Sequence, residues 1–178
     1  MENQKKSTTQ INHYPETSYK VRFSDCDPFR HLNNARYLDY CLHAREEHLK
    51  QFYDVDLNLF AKQGAAWVIS GHEIQYLRPV MLGEEIRIRT ALLDFNLTSI
   101  WVEMSIWDQA GQELKAVLWT QFVPVSVLSG KKKEHTEEMM ALFEQIKVVN
   151  EPDLESMNLT KRISQLLQKN NAIVEVSI

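Results

Sequence analysis

The chain has 178 residues, a formal net charge of −4, 44% hydrophobic residues and 25% charged residues. Such a composition fits one ordinary globular domain with some terminal extension, large enough to bury about 70% of its unfolded surface without staples. The acidic balance argues against a nucleic-acid binder driven by phosphate neutralisation, and no run approaches the ~20 apolar residues of a membrane helix.

Residues 1–17 are polar and aperiodic, and the opening MENQKKSTTQINHY lacks the apolar centre of a secretory signal, so a loose arm is expected. In Ser18–Phe23, Tyr19, Val21 and Phe23 alternate with Lys20 and Arg22, the period of a half-buried strand. DCDPFRHLNN is rich in turn formers, holds Pro28, and predicts a structured loop. From about Asn33 to Tyr53 the spacing turns helical: Tyr37, Leu38, Cys41, Leu42, Leu49, Phe52 and Tyr53 make a wide apolar stripe, so the helix is expected to be buried. Asn33 or Asn34 supplies the N-cap, and Ala44 is small enough for close approach to a sheet.

Strands follow. WVISGHEIQYLRPV is the first, and MLGEE is a turn with Gly83 as pivot. EEIRIRTALLDF alternates next. In SIWVEMSIWD, Ile100, Val102, Met104 and Ile106 share one face and Trp101, Glu103, Ser105 and Trp107 the other. DQAG is a hairpin turn, and ELKAVLWTQFVPVSV is the last long strand. Short turns predict an antiparallel four-strand meander. Glu134 to about Lys147 has a helical pattern. Beyond it, Leu154, Met157, Ile163, Leu166 and Leu167 suggest a further amphipathic helix, and IVEVSI a short strand. Strands segregated from one long helix predict an α+β fold with the helix on one face of the sheet.

Chemistry concentrates in SDCDPFRHLNN, directly before a helix N-terminus. The first N–H groups of a helix lack internal partners and carry partial positive charge. They can hold an oxyanion forming on a carbonyl, and a fixed carboxylate beside them can activate water or attack the carbonyl itself. Pro28 stiffens the backbone next to Asp27. On the residues alone, Asp25 and Asp27 are equally a turn-and-cap cluster, and His31 a satisfied loop histidine. Cys26 has no adjacent base in the sequence. The two cysteines, Cys26 and Cys41, form no disulfide or zinc pattern and fit a reducing, cytoplasmic compartment. His43 and His48, five apart, lie about 140° apart around a helix and cannot share a metal. The four tryptophans are core or interface residues.

The run SDCDPFRHLNNARY resembles the signature of the 4-hydroxybenzoyl-CoA thioesterase-like branch of the hot-dog superfamily: Asp25 and Asp27, then His31-Leu32-Asn33-Asn34, then the helical pair Ala44-Arg45. QYLRPVMLGEEIRI is similar to that family's strand–turn–strand, and the resemblance covers roughly residues 18–147. It implies a hot-dog fold, an antiparallel sheet wrapped around a central helix, for residues 18–147; the residue pattern leaves 1–17 as an arm and 148–178 as a helical C-terminal extension. It implies hydrolysis of an acyl-CoA thioester, Asp27 being general base or nucleophile, the Asn34 backbone N–H polarising the carbonyl, and His31 assisting. Asp25 braces the loop. Phe29 and Trp67 are candidates to line the acyl pocket. Arg30 meets a CoA phosphate or points to solvent, and Lys131 and Lys132 belong to a solvated basic run or to the phosphate site. Related plant acyl-carrier-protein thioesterases carry Asn where this chain has Phe29, and many family members carry Gly where it has Arg30. The expected assembly is a homodimer or homotetramer, with Ala65–His72 of one chain facing Asp27 of the other. No metal, cofactor, nucleic acid or membrane is implied. The alternative is a non-catalytic acyl-CoA or acyl-carrier-protein binding module on the same fold.

Overall fold

The turn-rich loop ends where Asn33 caps a long helix, α1 (Asn34–Tyr53), its side-chain oxygen accepting the Ala35 N–H at 3.0 Å. The helix stops at Asp54, whose backbone is left-handed (φ 56°) and whose N–H returns to the Leu49 carbonyl. Its buried positions are Tyr37, Cys41, Ala44, Arg45 and His48, spaced three and four apart. The stripe is therefore narrower than the apolar pattern predicts and contains two polar residues; Phe52 is exposed. The computed structural model describes residues 11–149 and 157–176, the last six by backbone alone.

Five strands form one antiparallel sheet: β1 (Glu16–Lys20), β2 (Ala65–Tyr76), β3 (Glu85–Asn96), β4 (Ser99–Asp108) and β5 (Leu114–Ser126). Their order is β1-β3-β4-β5-β2. Only β3–β4–β5 is a meander. The expected fourth member, β2, crosses to the far edge and pairs with β5, which corrects the four-strand meander. Gly111 (φ 71°) closes the β4–β5 turn, its N–H bonding the Asp108 carbonyl at 2.9 Å.

The period-2 pattern of β4 sorts its two faces as expected. Val102, Met104 and Ile106 pack with Ile86, Ile88 and Leu118 against α1. Trp107, with Val117 and Trp119 of β5, faces the other way and meets Leu159, Ile163 and Leu166 of a C-terminal helix, α4 (Leu159–Val176). A further helix, α3 (Glu137–Ile146), adds Met139, Phe143 and Ile146 to the main core. One strand edge belongs to β1, the other to β2. This is the expected α+β hot-dog arrangement, with one addition: α4 packs on the part of the outer face built by Trp107, Leu114, Val117 and Trp119.

Four local expectations need correcting. β1 begins at Glu16 and ends at Lys20; Phe23 starts a 3-10 turn (Phe23–Asp25) and is 82% exposed. Residues 12–15 are tied down, Tyr53 donating to the Asn12 carbonyl and the Thr90 N–H to the Pro15 carbonyl, so the loose arm does not reach residue 17; residues 1–10 lie outside the described residues. A short helix, α2 (Leu57–Lys62), capped by Asp56, adds an element that the periodicity of the sequence does not predict. Residues 173–176 continue α4 instead of forming a strand, and Leu154 lies outside the described residues.

Candidate active site

The loop between β1 and α1 folds back on itself. Cys26 bridges Leu32, and His31 bridges Met81 beyond β2. Within it Asp27 organises a tight turn. Its N–H donates to the His31 carbonyl at 2.8 Å and its carbonyl accepts the Arg30 N–H at 3.0 Å. One carboxylate oxygen, Oδ1, accepts the backbone N–H groups of Phe29 (2.9 Å) and His31 (3.0 Å). Arg30 takes the left-handed backbone the turn demands, φ 65°. The Asp27 carboxylate is thus clamped through Oδ1, while Oδ2 has no hydrogen-bond partner among the described residues and is open to a substrate or water.

Asp25 braces the loop against α1. Its Oδ2 accepts the Tyr40 hydroxyl at 2.8 Å, and its carbonyl accepts the Asn33 N–H at 2.9 Å. The first turn of α1 then leaves one donor unused. The Ala35 N–H goes to the Asn33 side chain, the Arg36 N–H to the Asn33 carbonyl at 2.8 Å, and the Asn34 N–H has no partner among the described residues. Tyr76, the last residue of β2, donates its hydroxyl to the Asn34 carbonyl at 3.1 Å and sets its ring edge-on to Tyr37, centroids 4.9 Å apart.

Asp27, His31 and Asn34 line one open cleft of about 260 Å³, with Tyr37, Tyr76 and Arg78. The other candidates lie elsewhere in the chain. Phe29 is 78% exposed on the outside of the loop, beside exposed Arg30. Trp67 lines a separate cavity under the C-terminal half of α1, where its indole N–H donates to His135 Nε2 at 3.1 Å. Lys131 and Lys132 are exposed after β5. Since Ala65 pairs with Ser126 and Tyr76 with Ala116, these lysines sit at the end of β2 opposite the cleft. Sequence reasoning missed Tyr76 and Arg78; their only signal is the polar pair bracketing Leu77 just before Pro79. Cys26 is no nucleophile in waiting: partial burial, then Asp25 and Asp27, raise its thiol pKa.

The sequence profile of the thioesterase-like superfamily matches residues 21–143. The chain belongs to that superfamily. Among relatives of this thioesterase-like chain, the long-chain acyl-CoA thioesterase FadM of Escherichia coli is 29% identical over 133 residues, 70% of this chain and 98% of FadM. The chloroplastic acyl-acyl carrier protein thioesterase ATL2 of Arabidopsis thaliana is 30% identical over 108 residues, 61% of this chain and 57% of ATL2. The chain therefore spans little more than half the length of that plant relative. The crystal structure of YbaW, a probable thioesterase from Escherichia coli, superposes with a TM-score of 0.64 at 26% identity over 75% of this chain and 98% of that one. The DHNA-CoA thioesterase of Staphylococcus aureus shares the fold at 14% identity, TM-score 0.71, covering 76% and 97% of the two chains.

Proposed function

We propose that this protein hydrolyses an acyl-CoA thioester to a free carboxylic acid and CoA. The observation that carries the reading is the juxtaposition, in one cleft, of a carboxylate fixed through one oxygen and open at the other with the unused Asn34 N–H at a helix N-terminus. The helix end favours the negative charge that develops on the thioester oxygen. Asp27 Oδ2 either removes a proton from the attacking water or adds to the carbonyl to give an anhydride that water then cleaves. The thiolate of CoA leaves in both routes. His31, beside Asp27 in the cleft, orients the substrate or passes a proton. No cofactor is called for, because base and oxyanion donor both come from the chain.

The FadM likeness over nearly that protein's whole length supports CoA as the carrier. The site is completed by a second copy in this reading. β2 is an edge strand with Val68 and Ile69 exposed, and such an edge invites pairing. A two-fold axis through β2 sets the Trp67 end of one strand beside the Tyr76 end of the other. That brings the partner's lysine run, the candidate phosphate contact, toward the Asp27 cleft. The assembly stops at the dimer on this reading, since α4 occupies the outer face that back-to-back stacking of two dimers would use. No helix among the described residues is long and apolar enough to cross a membrane, and a cytoplasmic enzyme acting on dissolved acyl-CoA is the setting that fits.

The test is thiol release from a panel of acyl-CoA and acyl-carrier-protein thioesters, with wild type and Asp27→Asn. Turnover by wild type and its loss in a folded variant support the mechanism. Binding without turnover by wild type replaces it with the non-catalytic module. A monomer by light scattering at micromolar concentration removes the shared site.

A further inference from the structure

The cavity beneath the C-terminal half of α1 is distinct from the Asp27 cleft. It measures about 280 Å³ and is lined by Leu42, Leu49, Trp67, Ile69, Phe122 and Phe143, an almost wholly apolar wall. That volume is just below the roughly 300 Å³ at which drug-sized small-molecule pockets begin. One side chain breaks the pattern. Arg45 lines the cavity, is only 4% exposed, and neither of its terminal nitrogens finds a hydrogen-bond partner among the described residues.

A buried guanidinium whose terminal nitrogens lack acceptors is costly. No carboxylate answers it. Glu46 lines the same cavity but is exposed and makes no bond to it. The Tyr53 phenol oxygen lies alongside and accepts from the guanidinium, its own proton going to the Asn12 carbonyl at 2.7 Å, but that one oxygen leaves the two terminal nitrogens unmatched. Burial pulls the Arg45 pKa down to about 10, so the group stays charged at neutral pH. A bound water does not resolve the matter, because a stable buried water needs two to four polar partners and this wall offers few. The acceptor that fits is one carried in by a ligand whose remainder is apolar.

We infer that this cavity takes the distal part of the acyl chain, and that Arg45 pairs there with an oxygen acceptor on that chain, a carboxylate or a hydroxyl. The proposal rests on the thioester-hydrolase reading for the identity of the chain's anchor. Arg45 is eleven residues beyond Asn34 on α1, about 16 Å along the axis at 1.5 Å per residue. For an acyl chain that runs along α1 of one protomer the acceptor is therefore far from the thioester carbonyl, and the substrates this route favours are long acyl groups oxygenated away from the thioester.

The experiment uses non-hydrolysable thioethers, so binding is measured whether or not the protein turns over. S-hexadecyl-CoA, its chain-terminal hydroxy analogue and its chain-terminal carboxy analogue are titrated calorimetrically into wild type, Arg45→Met and Arg45→Lys. Wild type is expected to bind at least one oxygenated ligand about tenfold or more tighter than the plain chain, the gain of one charge-assisted hydrogen bond. The better of the two identifies the acceptor. Arg45→Met, which keeps length and apolar volume, is expected to lose the preference and to favour the plain chain, since an unpaired oxygen is costly to bury, and Arg45→Lys to keep part of the preference. Equal binding of the three ligands by wild type overturns the proposal, as does a preference that survives in Arg45→Met. Thiol release from the matching thioesters is measured separately: binding preference without release removes the hydrolase reading and leaves the Arg45 assignment standing.

Discussion

Arg162 of α4 clasps both carboxylate oxygens of Glu103 on β4, Nε to Oε2 at 2.8 Å and Nη2 to Oε1 at 2.9 Å, with both side chains almost fully buried. The indole N–H of Trp119 donates to the same Oε2 at 2.9 Å. This pair pins the C-terminal helix to the outer face of the sheet. Arg162→Met leaves Glu103 buried and largely uncompensated and is expected to cost about 3–5 kcal/mol. The double variant Glu103→Leu with Arg162→Met should regain most of that loss, short by about 1 kcal/mol for the unpaired indole. Urea denaturation of the three proteins measures both values.

His48 is packed away on α1, with Thr17 Oγ1 at 2.9 Å from Nε2 and Thr90 Oγ1 at 2.8 Å from Nδ1. Burial first, and the nearby Arg45 charge second, pull its pKa down to about 4. The unfolded chain, titrating near the ordinary value of about 6.5, takes up a proton that the folded chain refuses. Stability should therefore be level above about pH 7 and fall between about pH 6.5 and about pH 4, by up to roughly 3 kcal/mol from this residue. Denaturation midpoints across that range should drop in wild type and drop less in His48→Gln.

Arg30 holds a left-handed backbone (φ 65°) without the freedom of glycine. Its side chain is exposed. Arg30→Gly relieves a conformation that costs a residue bearing Cβ about 1–2 kcal/mol, offset by glycine's greater unfolded-state freedom. A net stabilisation of about 0.5–1 kcal/mol is expected, read as a raised melting temperature, with the Asp27 clamp intact.

Asp27→Asn keeps the acceptor oxygen that the Phe29 and His31 N–H groups use. The loop should therefore keep its shape while the base or nucleophile is lost. A fall in kcat of about 10²- to 10⁴-fold is expected, with little change in melting temperature. A fall of less than about tenfold counts against Asp27 as the reacting group.

Much of the fold was legible locally. The alternation in β4 assigned Val102 and Met104 to one face and Glu103 and Trp107 to the other, because a strand's side chains must alternate whatever covers them. The start of α1 followed from Asn33, a cap whose geometry is made within three residues. The misses are non-local. Phe23 has the right period for a strand but no strand partner opposite it. His48 and Arg45 sit in a stripe whose apolar period they interrupt; His48 is tolerated only because Thr17 and Thr90, distant in the chain, supply its acceptors and donors.

The sequence by itself determined the turn-and-cap geometry of the Asp25–Asn34 loop, the long helix behind it and the faces of the central strands, since each depends on neighbours a few residues away. Only the tertiary structure decided that β2 leaves the meander for the far edge, that Arg162 answers Glu103 fifty-nine residues away, and that Arg45 faces an apolar cavity with its terminal nitrogens unpartnered among the described residues. Strand order, burial of charge and the presence of a partner are properties of where distant segments meet, and no local period encodes them.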